Sequence, residues 1–342
     1  MWTISSDGDA GDIIFEMALI QELTAGPHTL LVKRNDTTTL RTPEAVERFY
    51  KITKRLVLSQ PYIKDYRIYS GEPIDWDAAG FRARGLHYMG LSLLECHSQD
   101  LQMTKGIGRN IRGTRKWLTI EPSMETKGMV VINRTSRYNN SFFPWPKIVE
   151  HYQGRLLFIG LKHEWQTFCT QYGKVSWRET SDLLEMAQLI AGSSLFIGNQ
   201  SSANALCEGM KHNLIQETAL HIPDCVFRRP NAQHVGDGGC TLPDVSGSGT
   251  LVIPPIASDQ FTFQTHRVPP DGWQYEDVKT LDWNALCRMT QGRMEFAGKT
   301  TGEVAQLLMQ ANWKRKPEFF RDPSFDHLFT TFRNALQTAS VS

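Results

Sequence analysis

Three aspartates, Asp7, Asp9 and Asp12, fall within six residues near the start of the chain, in the run Asp7-Gly-Asp-Ala-Gly-Asp12. Carboxylates at a glycine-rich turn suit two kinds of chemistry, metal ligation or proton abstraction by a general base. The run has neither the acidic spacing of a calcium loop nor a nearby His or Cys, so a base is the better reading and no metal is expected. It is not a dinucleotide fingerprint either, because no G-x-G-x-x-G is present. The plain alternative is turn chemistry, since Asp and Gly are ordinary turn residues.

A second constellation lies in the other half of the chain. Asn133 to Asn140 is a polar loop carrying Arg134, Thr135, Ser136 and Arg137, and Gly198-Asn199-Gln200-Ser201-Ser202 stands between an apolar run and a helical one. Two arginines and a helix N-terminus suit a pyrophosphate, because the dipole and the first amides of a helix favour anions. Ordinary loop polarity is the competing account. A third feature is the acid-free stretch Leu101 to Ile120, with Lys105, Arg109, Arg112, Arg115 and Lys116. With three glycines it reads as a basic loop, either simply solvated or facing an anionic acceptor such as a glycan or a nucleic-acid backbone.

These residues need elements to hold them. The first half reads as strand Trp2 to Ser5, the aspartate turn, a helix from Ile13 to Thr24 with Ile13, Met17, Ile20 and Leu23 on one face, strand His28 to Lys33, helix Pro43 to Leu58 and strand Tyr66 to Tyr69. Ile74 to Thr119 carries little pattern. From Met129 to Gln216 strands and helices alternate as βαβαβαβαβ, which implies a parallel, doubly wound sheet. Ligands of such sheets bind beyond the carboxyl ends of the strands, where all three polar loops fall. Pro223 to Gly272 reads as long loops, followed by helices at Leu281 to Thr290, Thr301 to Asn312 and Ser324 to Leu336.

The chain's 342 residues are enough for two domains, and 37 Lys and Arg against 36 Asp and Glu say little about partners. No apolar run reaches the roughly 18 residues of a membrane span. The first residues lack the basic and apolar regions of a signal peptide. Six scattered cysteines without a C-x-x-C pair argue against a disulfide framework and a zinc ribbon. A cytoplasmic protein is the expectation.

The run Ser181 to Met210 resembles the C-terminal nucleotide-sugar motif of heptosyltransferase-like glycosyltransferases. Gly11-Asp12-Ile13-Ile14 is similar to their N-terminal G-D turn, and Leu157-Phe-Ile-Gly160 with Glu164 and Phe168 is similar to the strand and helix between. The resemblance implies a GT-B fold, two Rossmann-like domains facing across a cleft. Residues 1–125 would bind the acceptor, residues 126–310 the nucleotide sugar, and residues 311–342 would return as a helix to the first domain. It implies an inverting, metal-independent transfer with no cofactor, Asp12 as the base, the Arg134 to Arg137 loop on phosphates and Glu185 near the ribose. Gln200 and Ser202 replace the family's Asp and Gly, its histidine is missing, and Glu185 is displaced by one place, so the donor's identity does not carry over. Two other readings share this fold: a viral-type DNA glycosyltransferase acting on a 5-hydroxymethylpyrimidine base, with residues 101–120 on the backbone, and a non-catalytic binder or epimerase.

Overall fold

The computed structural model describes residues 1–23, 26–35, 38–83, 92–107, 115–219, 225–227, 229–236, 240–245, 251 and 253. Its backbone forms two parallel sheets. The first takes β1 (Thr3–Ser6), β2 (His28–Val32), β3 (Ile63–Ile68) and β4 (Trp76–Asp77) in the order β3-β2-β1-β4. Around it lie α1 (Ala10–Glu22), α2 (Pro43–Leu58), α3 (Gly80–Ala83) and α4 (Leu93–Lys105).

The second sheet has six strands, β5 (Val130–Asn133), β6 (Leu156–Ile159), β7 (Ser176–Arg178), β8 (Leu195–Asn199), β9 (Leu214–Glu217) and β10 (Ala232–Val235), in the order β10-β9-β8-β5-β6-β7. The helices are α5 (Trp145–His151), α6 (Lys162–Tyr172), α7 (Leu183–Gly192) and α8 (Ser202–Met210). β5, β6, β8 and β9 are buried throughout, as expected of parallel strands covered on both faces; their apolar residues come first, and the polar Asn133, Asn199, Gln216 and Glu217 fall at the carboxyl ends. This is the doubly wound order expected, extended by one strand. β10 lies in a stretch read as long loops. Its residues Ala-Gln-His-Val carry no strong strand pattern, and pairing with β9 decides their conformation.

Other differences have local causes. α1 begins three residues before the expected Ile13, because Asp9 is its N-cap. It is buried without interruption from Asp12 to Ile20 rather than on one face, so Glu16 enters the core with its neighbours. α4 occupies a stretch with no helical assignment, capped by a reciprocal Ser92 and Glu95 box. Lys105 is therefore the end of a helix rather than part of a loop. α7 is capped by Asp182, whose Oδ1 accepts from the Glu185 amide at 2.9 Å. Gly192, the last residue of α7, leaves no room for a side chain, since a Cβ there would lie 1.9 Å from the Ser123 carbonyl oxygen. The three helices expected beyond Leu281, and the returning segment 311–342, lie outside the described residues.

Apolar contact joins α1 to α8. Ile13, Ile14 and Met17 belong to the same cluster as Ala203, Ala205 and Leu206, and the Trp117 indole N–H donates to the Ile14 carbonyl at 2.9 Å. No helix among the described residues is long and apolar enough to cross a membrane.

Candidate functional site

Each sheet reverses its strand order at one place, and the loops leaving such a point diverge to open a crevice at the carboxyl ends of the strands. In the first sheet the reversal falls between β1 and β4. β1 runs into Asp7, Gly8 and Asp9, and β4 runs into α3, which carries Arg82. The Arg82 guanidinium crosses this crevice to Asp12, 2.6 Å from Oδ2. The same oxygen accepts the Asp9 backbone N–H at 2.7 Å, which closes the first turn of α1. Gly8 makes room for this arrangement, since a Cβ there would sit 2.5 Å from the Asp12 side chain.

The three aspartates are thus separated in role. Asp7 is buried, and burial raises its pKa above the ordinary value. Its Oδ1 has no hydrogen-bond partner among the described residues. Asp9 accepts from the Thr39 hydroxyl and lies 3.7 Å from Arg137. Asp12 holds Arg82 and faces the crevice.

In the second sheet the reversal falls between β5 and β8, so the Asn133 to Asn140 loop and the Gly198 to Ser202 loop diverge from neighbouring strands. Asn199 ties them together. Its amide nitrogen donates to the Arg137 carbonyl at 2.6 Å and to Thr135 Oγ1 at 3.1 Å, and its oxygen accepts the Thr135 N–H at 3.1 Å. Ser201 Oγ donates to Asn133 Oδ1 at 2.8 Å. The Gln200 oxygen accepts the Ala219 N–H at 2.8 Å. The glycine at 198 serves the sheet, because a Cβ there would meet the Asn133 carbonyl oxygen at 2.7 Å.

The two crevices open into one cleft of about 260 Å³. Asp9, Asp12 and Arg82 line it from one side, and Thr135, Arg137, Gln200, Ser201 and Ser202 from the other. Arg137 is exposed and stacks over Tyr138 at 5.3 Å. Tyr138 itself holds a left-handed backbone, φ 57°, a tight bend that turns this loop back at the rim.

Several expected site residues stand elsewhere. Arg134 does not line the cleft. Its guanidinium is committed to Glu217, a fully buried carboxylate 2.9 Å from Nε, which also accepts the Asn140 N–H at 2.8 Å and the Trp145 indole N–H at 2.9 Å. Ser136 is exposed on the loop and outside the cleft. Glu185 accepts the Ser181 N–H at 2.6 Å and pairs with Arg178 at 2.7 Å, away from the cleft. The Ser181 backbone bond holds its carboxyl below the ordinary range. Lys105, Arg115 and Lys116 are exposed and do not line the cleft. Arg109 and Arg112 lie outside the described residues. Among the described residues no group of three His, Cys, Asp or Glu side chains is placed to hold a metal ion.

Two functional partners were not read from the sequence. Arg82 sits in a stretch without pattern, where nothing marks it from Arg84. Glu217 is the last residue of β9 and belongs to no motif.

No family model matches this sequence, and no curated protein matches it. Solved structures do. The chain is similar to the glycosyl transferase family 9 protein of Veillonella parvula, at 11% identity and a TM-score of 0.43, over 67% of this chain and 84% of that one. It is similar to the E. coli heptosyltransferase WaaC, at 11% identity and a TM-score of 0.44, over 63% and 87%. It is also similar to the E. coli ADP-heptose LPS heptosyltransferase II, at 11% identity and a TM-score of 0.37, over 72% and 91%.

Proposed function

We propose that this chain is an inverting glycosyltransferase of GT-B architecture, moving a sugar from a nucleotide-sugar donor to an acceptor hydroxyl. The observation that carries this reading is the meeting of the two strand-order reversals in one cleft, with a carboxylate on one side and an arginine beside a helix N-terminus on the other. The donor's diphosphate is assigned to the second-sheet side. Ser201 N–H is already taken by the Asn199 carbonyl at 2.7 Å, so the next amides of α8, Ser202 and Ala203, are the donors left for an anion. Arg137 supplies the positive charge, which draws it from Asp9 toward the phosphates.

On the opposite side Asp12 is the base. Both contacts described for its carboxylate fall on Oδ2, which leaves Oδ1 for an acceptor hydroxyl. Asp12 takes the hydroxyl proton as the oxygen attacks the anomeric carbon, and the bond to the diphosphate breaks on the far face. One in-line displacement inverts that centre. Arg137 and the α8 terminus meet the charge that develops on the leaving diphosphate, a role for preorganised dipoles that needs no metal.

The test is release of nucleoside diphosphate from a panel of ADP-, UDP- and GDP-sugars in the presence of candidate acceptors. Release by the wild type and its loss in Asp12→Asn are expected, whereas undiminished transfer by Asp12→Asn removes the base assignment. Arg137→Ala weakens nucleoside diphosphate binding about 10-fold, the loss of one charge-assisted phosphate contact. Unchanged affinity by calorimetry places the phosphates elsewhere.

A further inference from the structure

Beneath the cleft, one helical turn inside Asp12, Glu16 is fully buried with the Ser6 hydroxyl close by, and neither of its carboxyl oxygens has a well-formed hydrogen bond among the described residues. The groups around it are also incompletely matched. Ser6 Oγ, Asp7 Oδ1, Arg82 Nη1 and His97 Nε2 are buried and unpartnered in the same sense. Asp7, Asp12 and Glu16 all act on the single guanidinium of Arg82. Lys33, which also acts on Asp7, is paired with Asp77 at 2.7 Å. Three carboxylates and one guanidinium cannot all be charged in so dry a place, because an uncompensated buried carboxylate is costly and neutralises instead.

We propose that Glu16 is a positioning residue of this site, a neutral carboxyl that leaves the whole charge of Arg82 to Asp12 and so holds the guanidinium on the base. The proposal rests on the reading of Asp12 as the base. The electrostatics agree with the geometry. Burial drives the Glu16 pKa well above its ordinary 4.5, and the Asp12 and Asp7 charges push the same way, against Ser6 and Arg82. Tyr66 of β3 also faces Glu16, and burial drives its hydroxyl pKa up too, so it adds no charge at neutral pH. α4 brings His97 to Arg82 rather than to Glu16, with His97 Nδ1 2.9 Å from the Ala78 carbonyl. Burial lowers its pKa to about 3, so it too is uncharged at neutral pH. The remaining α4 acids are committed, Asp100 to the Trp76 indole and Glu95 to the Ser92 cap. Glu208 of α8 is held by Lys211 and Arg229.

The sign of the linkage follows. A carboxyl whose folded pKa lies above its unfolded value binds more protons when folded. Its contribution to stability is whole below about pH 4.5 and is lost as pH rises toward the folded pKa. Glu16→Gln, which keeps the shape and removes the proton, is expected to lose that dependence and to gain on the wild type steadily as pH rises. In the transfer reaction, ionisation of Glu16 at high pH diverts Arg82 from Asp12, so the wild type shows an alkaline fall in kcat/KM that Glu16→Gln lacks.

The experiment pairs denaturant unfolding of wild type and Glu16→Gln from pH 4.5 to 9 with infrared spectra of the wild type labelled with ¹³C-glutamate. A protonated glutamate carbonyl band at pH 7, missing in Glu16→Gln, together with the two pH profiles above, is the expected result. No such band in the wild type overturns the proposal whether or not the variant folds. Parallel pH dependences of unfolding, or an alkaline limb retained in Glu16→Gln, overturn it as well. Failure of the base assignment is read separately, as transfer retained by Asp12→Asn.

Discussion

Glu217 and Glu16 are both fully buried carboxyl groups near the carboxyl end of a parallel sheet, and their surroundings are opposite. Both Glu217 oxygens are occupied, by the Arg134 guanidinium, the Asn140 amide and the Trp145 indole. Around Glu16 and Arg82, three carboxyl oxygens, a hydroxyl, a guanidinium nitrogen and an imidazole nitrogen lack a well-formed hydrogen bond among the described residues. A filled network fixes a shape, because each lost bond leaves a buried charge or donor exposed to an apolar core. An unfilled one leaves protonation as the way to settle the charge. The second sheet therefore supplies a rigid wall that aims Arg137 at the cleft, and the first supplies the titratable chemistry.

That contrast can be broken by substitution. The largest effect belongs to Asp12→Asn, where loss of a general base is expected to lower kcat by about 10²–10⁴-fold, checked by steady-state rates on the folded variant. Next comes Arg134→Ala. It strands a buried Glu217 and costs about 3–5 kcal/mol of stability, seen as a lower urea midpoint. A change confined to nucleotide affinity would instead make Arg134 a phosphate ligand. Asn199→Ala removes the bonds that join the two loops of the second sheet and costs about 1–3 kcal/mol. It also frees the Arg137 segment, so faster amide exchange across residues 135–139 is expected by hydrogen exchange. The smallest effect is that of Arg55→Ala. The Arg55 to Asp182 pair, 2.8 Å long, links α2 to α7, but its arginine is largely exposed. Its loss costs under about 1 kcal/mol, less still at high salt, in thermal unfolding.

Much of this was legible in the residues. The alternating pattern from Met129 to Gln216 reads as a parallel sheet because buried parallel strands must be apolar runs separated by helices, and the Asp7 to Asp12 and Gly198 to Ser202 turns each stand at a strand end, the first in the four-stranded sheet and the second in the six-stranded one. α2 was expected from Pro43 to Leu58 and is found there, with proline in its first turn. What escaped notice was set by contacts distant in sequence. β10 exists through pairing with β9, and Arg82 matters through a guanidinium that reaches 70 residues back to Asp12. Arg134 and Arg137 stand three apart in one loop with the same side chain. The carboxylate of Glu217, 83 residues on, commits the first and leaves the second at the cleft. One local signal was available and unread, Ser92 and Glu95 at capping-box spacing ahead of α4.

The central claim is that a diphosphate and a proton acceptor face each other across this cleft. Crystals soaked separately with ADP, UDP and GDP test it most directly. The account predicts that at least one nucleotide places its diphosphate against Arg137 and the Ser202 end of α8, across the cleft from Asp12. A nucleotide bound with its phosphates away from Arg137 and α8, or one that fills the space in front of Asp12, would contradict it.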